Sequence, residues 1–253
     1  MSLSKFGFLV ILVSSSAMCG CSDHRDIFGA IERGDDIRVA ALLDSGVDPN
    51  ARDSLDAPLL FVAARAGHAD TVKLLLARGA DPDASWLGIT SLLMTAFSPD
   101  CDGQIIEALL QAGASPHSTS PELPDTTPLL AAAPYGRPEC LEPLVAAGAD
   151  VKAVDGIGDG VVYHSVLAGN LDVVRYFLEL GAPADTRNVQ GGSPLMLAAF
   201  TGQSAIVELL LDYGADPCAS DGRNRTVSEI TEDIGIKALI SERCDRWGTT
   251  GPP

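Results

Sequence analysis

The sequence predicts an all-α repeat solenoid, and three observations carry that prediction. The pairs Gly46-Val47, Gly79-Ala80, Gly113-Ala114, Gly148-Ala149, Gly181-Ala182 and Gly214-Ala215 recur at spacings of 33, 34, 35, 33 and 33 residues. Such a period is the mark of stacked repeats. Each interval holds two stretches with apolar residues at helical spacing, the first rich in Ala and the second in Leu and Val. A Gly that suits a short turn between helices, Gly67, Gly169 or Gly202, lies twelve residues before the next mark. A solenoid offers an elongated face rather than one deep cleft, so holding another macromolecule is the default expectation.

The clearest copy runs from Asn188 to Pro217. Ser193-Pro194-Leu195-Met196-Leu197-Ala198-Ala199 opens it, Gly202 divides it, Ile206-Val207-Glu208-Leu209-Leu210-Leu211 follows, and Gly214-Ala215-Asp216 closes it. A second copy has Pro58-Leu59-Leu60-Phe61-Val62-Ala63-Ala64, Gly67-His68, Val72-Lys73-Leu74-Leu75-Leu76 and Gly79-Ala80-Asp81. Pro194 and Pro128 follow Ser or Thr, as expected where a capping hydroxyl precedes a residue lacking an N–H. The pattern resembles the ankyrin repeat over residues 26–246. That resemblance implies a stack of paired antiparallel helices with short hairpin loops, about seven units including caps.

Residues 26–247 form the expected repeat domain, with units near 26–50, 51–83, 84–117, 118–152, 153–185, 186–218 and 219–247. The first unit lacks the hairpin and reads as an N-terminal cap; the last, with Ser228, Glu229 and Glu232 at positions apolar or small elsewhere, reads as a C-terminal cap. The third carries Ser98-Pro99-Asp100-Cys101-Asp102 in place of a simple turn, and a Pro/Ser-rich insertion, Ser118 to Asp125, precedes the fourth. Residues 248–253 carry no packing signal and are expected to be disordered.

Lys5, the apolar run Phe6 to Val13 and the small residues before Met18-Cys19-Gly20-Cys21 resemble a bacterial secretory signal, too short to anchor by spanning a bilayer. Gly20 before Cys21 is similar to a lipobox, which implies removal of residues 1–20, lipidation of Cys21 and a short tether over 21–25. Cys19 is a rival, and ordinary cleavage would instead leave a soluble periplasmic protein. Ser22 after the cysteine resembles the outer-membrane sorting pattern. The expected location is the periplasm, lipid-anchored to the outer membrane.

The chain carries 34 acidic and 17 basic residues; loss of Lys5 with the signal would leave 16 bases and a net charge of −18. Nucleic acid is therefore not an expected partner, whereas a basic protein would be steered to the surface. Cys101, Cys140, Cys218 and Cys244 are an even set in an exported chain and read as disulfides. Placement in adjacent repeat units pairs Cys101 with Cys140 and Cys218 with Cys244. A zinc site is the rival, but C-x-x-C is missing and the four His are scattered.

No nucleophile elbow, metalloprotease helix or phosphate-binding loop occurs, so the expectation is a non-enzyme without metal or cofactor. His68 reads as a helix-start hydrogen bond, and His164 beside Tyr163 as a satisfied interior or groove residue. In the ankyrin fold the concave face comprises the hairpin tips and the exposed side of each first helix. The matching positions are Ser54, Leu55, Arg65, Ala66, Trp86, Leu87, Ile89, Phe97, Leu123, Thr126, Tyr135, Gly156, Ile157, Asp159, Val189, Gln190, Phe200 and Thr201. Of these, Leu55, Trp86, Leu87, Ile89, Phe97, Tyr135, Ile157, Val189 and Phe200 are the candidate partner-binding residues, centred on Trp86, Phe97, Tyr135 and Phe200, since aromatic anchors dominate protein hot spots. The expected function is a monomeric envelope protein that binds another protein on this face as an inhibitor or immunity protein. A scaffold tethering an envelope complex is the alternative, with an enzyme a remote third.

Overall fold

A computed structural model describes residues 22–250. Its helices succeed one another in pairs: α1 (Ser22–Glu32) with α2 (Asp36–Asp44), α3 (Leu59–Ala66) with α4 (Ala69–Ala77), and α5 (Ser91–Ala96) with α6 (Gly103–Gln111). Next come α7 (Pro128–Ala132) with α8 (Pro138–Ala146), α9 (Val161–Ala168) with α10 (Leu171–Glu179), α11 (Pro194–Phe200) with α12 (Ser204–Asp212), and α13 (Val227–Ile230) with α14 (Ile234–Thr250). First helices pack on first helices of the neighbouring pairs, and second on second, as α3 on α5 and α4 on α6. The molecule is an all-α repeat solenoid.

Local chemistry sets each turn. Thr90, Thr127 and Ser193 accept, through their side-chain oxygens, the N–H of Leu93, Leu130 and Met196, which caps α5, α7 and α11. The six recurring Gly marks all have positive φ, between 82° and 101°, which a residue with a Cβ would adopt at a cost. Between them lies one continuous core: Leu59, Leu60, Leu75, Leu92, Leu93, Ile105, Ile106 and Leu109 are fully buried, and the same layering runs to Leu210, Val227 and Ile240.

Polar struts repeat between units. His68 stands at the N-cap of α4 but its side chain makes no capping bond; its Nε2 lies 3.4 Å from the Glu32 carbonyl of the preceding pair. Arg137 reaches the Pro99 carbonyl at 3.3 Å and Gln203 the Val166 carbonyl at 3.1 Å from equivalent places. The helix-start role expected for His68 is thus replaced by an inter-repeat contact, because its neighbour's last carbonyls face it.

Disulfides join Cys101 to Cys140, across the third and fourth units, and Cys218 to Cys244, across the sixth unit and the C-terminal cap. The first is buried, with 3% and 1% exposure, whereas Cys218 is exposed. The structure differs from the sequence reading at both ends. Helix α1 begins at Ser22, inside the expected tether, anchored one turn on by Ile27, Ala30 and Ile31. Helix α14 continues past Trp247 to Thr250, beyond the expected end of the repeat domain, and Cys244 lies within it. The cystine and the Arg243–Asp212 ion pair, at 2.7 Å, hold that helix beyond its apolar contacts. The expected signal, Cys21 and residues 251–253 lie outside the described residues.

Ile236 and Ile240 are the fully buried side chains of α14 among the described residues. Replacing Cys218 and Cys244 by Ser is expected to lower stability by roughly 3 kcal/mol through restored chain entropy. Amide exchange should accelerate in α13 and α14 while α3 to α6 keep their protection; uniform acceleration would show that the cystine supports the whole stack instead.

Candidate functional site

The hairpin tips are built on one recurring device. Asp53 accepts through Oδ1 from the N–H of Leu55 and Ala57, Asp155 from Ile157 and Asp159, Asn188 from Gln190 and Gly192, and Asp221 from Arg223 and Arg225. These turns close with positive φ three residues later, at Asp56, Gly158, Gly191 and Asn224. Held this way, the tips raise apolar side chains into solvent: Leu55 is 49% exposed, Ile157 53% and Val189 76%.

The third and fourth units carry Ser85 and Glu122 where the others have Asp or Asn. Without the Asp or Asn Oδ1 that bonds the turn N–H groups elsewhere, the third tip is a paired hairpin, β1 (Ser85–Trp86) against β2 (Ile89–Thr90), with Trp86 opposite Ile89. Its two central residues, Leu87 and Gly88, have φ of 52° and 77°, a type I′ turn. Leu87 is thereby projected, at 59% exposure.

Two of its neighbours do not meet the partner-binding expectation. Ile89 is 5% exposed, because the residue facing inward from β2 enters the core, and it is removed from the candidate set. Trp86 folds back: its ring lies 5.4 Å from that of Phe61 and its Nε1 donates to the Leu55 carbonyl at 2.8 Å. It is a strut between the second and third tips rather than the centre of an open patch.

Successive tips are otherwise tied by backbone. Gly156 N–H donates to the Pro124 carbonyl at 2.9 Å, Val189 to Ile157 at 2.9 Å and Gly222 to Gln190 at 2.8 Å. The Trp86 indole supplies the equivalent bond to Leu55. Between the third and fourth tips the insertion intervenes, and Pro121 lies so close to Gly88 that a Cβ there would stand 2.7 Å from its Cδ.

A second apolar row follows the C-terminal ends of the first helices. Phe97, Leu167 and Phe200 hold equivalent places, seven residues beyond the position of Thr90, Gly160 and Ser193. Phe200 is 68% and Leu167 49% exposed, while Phe97 is packed partly against the core. Sequence reading missed Leu167, whose signal was this register; within α9 alone it reads as one more core residue. Tyr135 is half-buried, and burial raises its hydroxyl above the usual phenol range.

Between the rows, at the fifth unit, lies a polar cluster. His164 Nε2 sits 3.1 Å from Asp155 Oδ2, and Asn188 Nδ2 donates to Asp159 Oδ1 at 3.0 Å. Burial would raise Asp155, but the hydrogen bonds from His164 and from the N–H of Asp159 and Ile157, with the His164 charge, hold its carboxyl below the usual range. Asp159 is itself buried, so it is not a surface residue of the tip; burial and then the Asp155 charge raise it against the bond from Asn188. Among the described residues no three His, Cys, Asp or Glu side chains gather as a metal-ligand set.

The family model described as ankyrin repeats (3 copies) matches residues 27–120 and 129–221. The chain is an ankyrin-repeat protein. It is similar to the E3 ubiquitin-protein ligase KEG of Arabidopsis thaliana, 28% identical over 216 residues, covering 81% of this chain and 13% of that protein. With Neurogenic locus notch homolog protein 1 of Homo sapiens it shares 31% identity over 150 residues, 59% of this chain and 6% of that protein. The chain thus spans a small part of the curated relatives it matches. Among solved structures, the human ASB11 ankyrin repeat domain superposes with a TM-score of 0.73 at 24% identity, over 90% of this chain and 98% of that one. The ankyrin repeat domain of Bcl-3 gives 0.72 at 24%, over 85% and 97%. These likenesses concern the fold. The ankyrin repeat is a general protein-interaction module, and in this ankyrin-repeat protein the tips and first-helix ends carry the exposed apolar side chains Leu55, Leu87, Ile157, Val189, Leu167 and Phe200.

Two outcomes are expected at this face. Trp86→Ala should destabilise by about 2 kcal/mol through lost packing on Phe61, whereas Leu87→Ala should stay within about 0.5 kcal/mol, read from urea unfolding. Asp155→Ala should cost about 2 kcal/mol at neutral pH through lost charge-assisted hydrogen bonds. Because the folded-state pKa of Asp155 lies below its unfolded value, its contribution is present above the unfolded pKa and disappears as pH falls through the folded one. The gap between wild type and Asp155→Ala should therefore narrow on acidification; a gap that widens would contradict the assignment.

Proposed function

We propose that this ankyrin-repeat protein is an exported binding protein that holds one protein partner on its concave face and blocks it, in the manner of an inhibitor or immunity protein. The observation that carries the reading is the double row of exposed apolar side chains, Leu55, Leu87, Ile157 and Val189 on the tips and Leu167 and Phe200 on the helix ends. Scattered exposed leucines are ordinary, but apolar residues repeated on the tips and helix ends of several units along one side of a stack make a surface suited to desolvation by a partner. The net charge of −17 favours a basic partner and disfavours nucleic acid.

The N-terminal signal supplies the proposed address. Lipid on Cys21 would tether the chain, as a monomer, to the periplasmic face of the outer membrane, with the described repeats beginning immediately after it. No cofactor enters this reading, and the function is binding rather than turnover.

Leu167→Asp with Phe200→Asp should weaken the retained partner by tenfold or more in affinity while leaving the thermal melt unchanged, since both side chains are exposed. Partner activity restored by the double variant supports inhibition. Partner activity indifferent to binding would favour a tethering scaffold, and unchanged affinity would move the site off this face. Cys21→Ser should abolish incorporation of labelled palmitate in cells; retained label would assign the lipid elsewhere.

A further inference from the structure

Five junctions join the second to the seventh hairpin tip, and four are closed by a hydrogen bond into the preceding tip's carbonyl: those of Leu55, Pro124, Ile157 and Gln190. Leu87 holds the same place in the third tip. Among the described residues its carbonyl accepts no such bond, because Leu123, the donor by register, gives its N–H to the Ser120 carbonyl at 3.0 Å.

The side chain there is as anomalous as the carbonyl. At φ 52° followed by Gly88, this turn favours Asn, and a leucine is strained in it. At 59% exposure the leucine gains little from burial either. A residue that opposes both the local conformational preference and solvation, without a packing return in the free molecule, is the kind that contact with a partner explains.

The surroundings state what that partner carries. Residues 52–57, 83–90 and 118–125, which make these three tips, hold the carboxylates Asp53, Asp56, Asp83, Glu122 and Asp125 against a single cation, Arg52. Arg52 is already engaged, by the Asp56 carboxylate at 3.3 Å and the Ser85 carbonyl at 3.1 Å.

We propose that Leu87, with Leu55 beside it, anchors a basic protein through a loop that carries an apolar side chain bordered by Lys or Arg. The apolar side chain covers Leu55 and Leu87, a donor of the loop closes on the Leu87 carbonyl, and its cations lie among the five carboxylates. The broken junction thus becomes the one place in the tip ladder where a foreign chain takes the position of a neighbouring repeat. This assignment rests on the protein-binding reading above and narrows it to the second, third and fourth tips.

The full-length protein tests it in its own cells, with the photocrosslinker p-benzoylphenylalanine substituted at Leu87 or, separately, at Phe200. The expected result is an adduct at position 87 with a polypeptide of pI above about 9. Once purified, that polypeptide should bind Leu87→Asn tenfold or more weakly than wild type, with affinity for wild type falling as salt is raised. Leu87→Asn should melt no lower than wild type, since Asn-Gly suits the turn. A lower melting temperature with unchanged affinity would make Leu87 a structural residue and overturn the proposal. An acidic adduct, or affinity indifferent to salt, would overturn the partner chemistry. Adducts at position 200 alone would overturn the anchor while leaving protein binding on this face intact, and none at either position would overturn both.

Discussion

No helical pair in this chain can bury its own apolar surface, so everything else depends on the interface between one pair and the next. Helices of five to nine residues, such as α7 and α8, are too short to be stable alone. They persist because Leu129, Leu130, Leu141 and Leu144 are covered from both sides by neighbouring units. The same dependence explains the struts: His68, Arg137 and Gln203 satisfy carbonyls at the ends of the preceding first helices or in the loops that follow them. A carbonyl accepts up to two hydrogen bonds, and each strut adds one across the seam, as at Val166, whose carbonyl also accepts from the N–H of Gly169 at 2.9 Å.

Since the interfaces carry the stability, the ends and the irregular middle need reinforcement, and the two cystines stand there. Cys218–Cys244 ties α14 to the unit before it, where one side of the stack faces water. Cys101–Cys140 crosses from the third to the fourth unit, where the sequence departs from the repeat in both the turn at Ser98 to Asp102 and the insertion at Ser118 to Asp125. At this junction the tips are not joined by the backbone bond found further along. The buried cystine compensates at the helix layer for a link missing at the tip layer. The stack can therefore vary its surface here without parting.

The period, the helix pairs and the turn glycines were legible because each is a local requirement repeated in phase. What a tip residue does with its side chain was not, because that depends on the tip before it. Trp86 looked like an open anchor, but Leu55 offers a carbonyl and Phe61 a ring face one repeat earlier, and the indole takes both. Ile89 departs from the expected set because strand pairing in the third tip, where Ser85 stands in place of Asp or Asn, turns it inward. Leu167 escaped notice for the opposite reason: helical periodicity counts it with the core, and its exposure emerges only from alignment with Phe97 and Phe200 across units.

The substitution of Ser85 for Asp therefore has effects at three levels. Without the Asp carboxylate the backbone forms the type I′ hairpin, and that hairpin sends Ile89 into the core and Leu87 out to solvent, while the Leu87 carbonyl lacks its register donor because Leu123 gives its N–H to Ser120 instead. The acidic side chains around it repel one another, and Arg52 relieves only part of that repulsion. A free molecule gains nothing from concentrating exposed leucine, an open carbonyl and like charges at one place. A bound one gains from all three, provided its partner brings apolar surface, a hydrogen-bond donor and positive charge together.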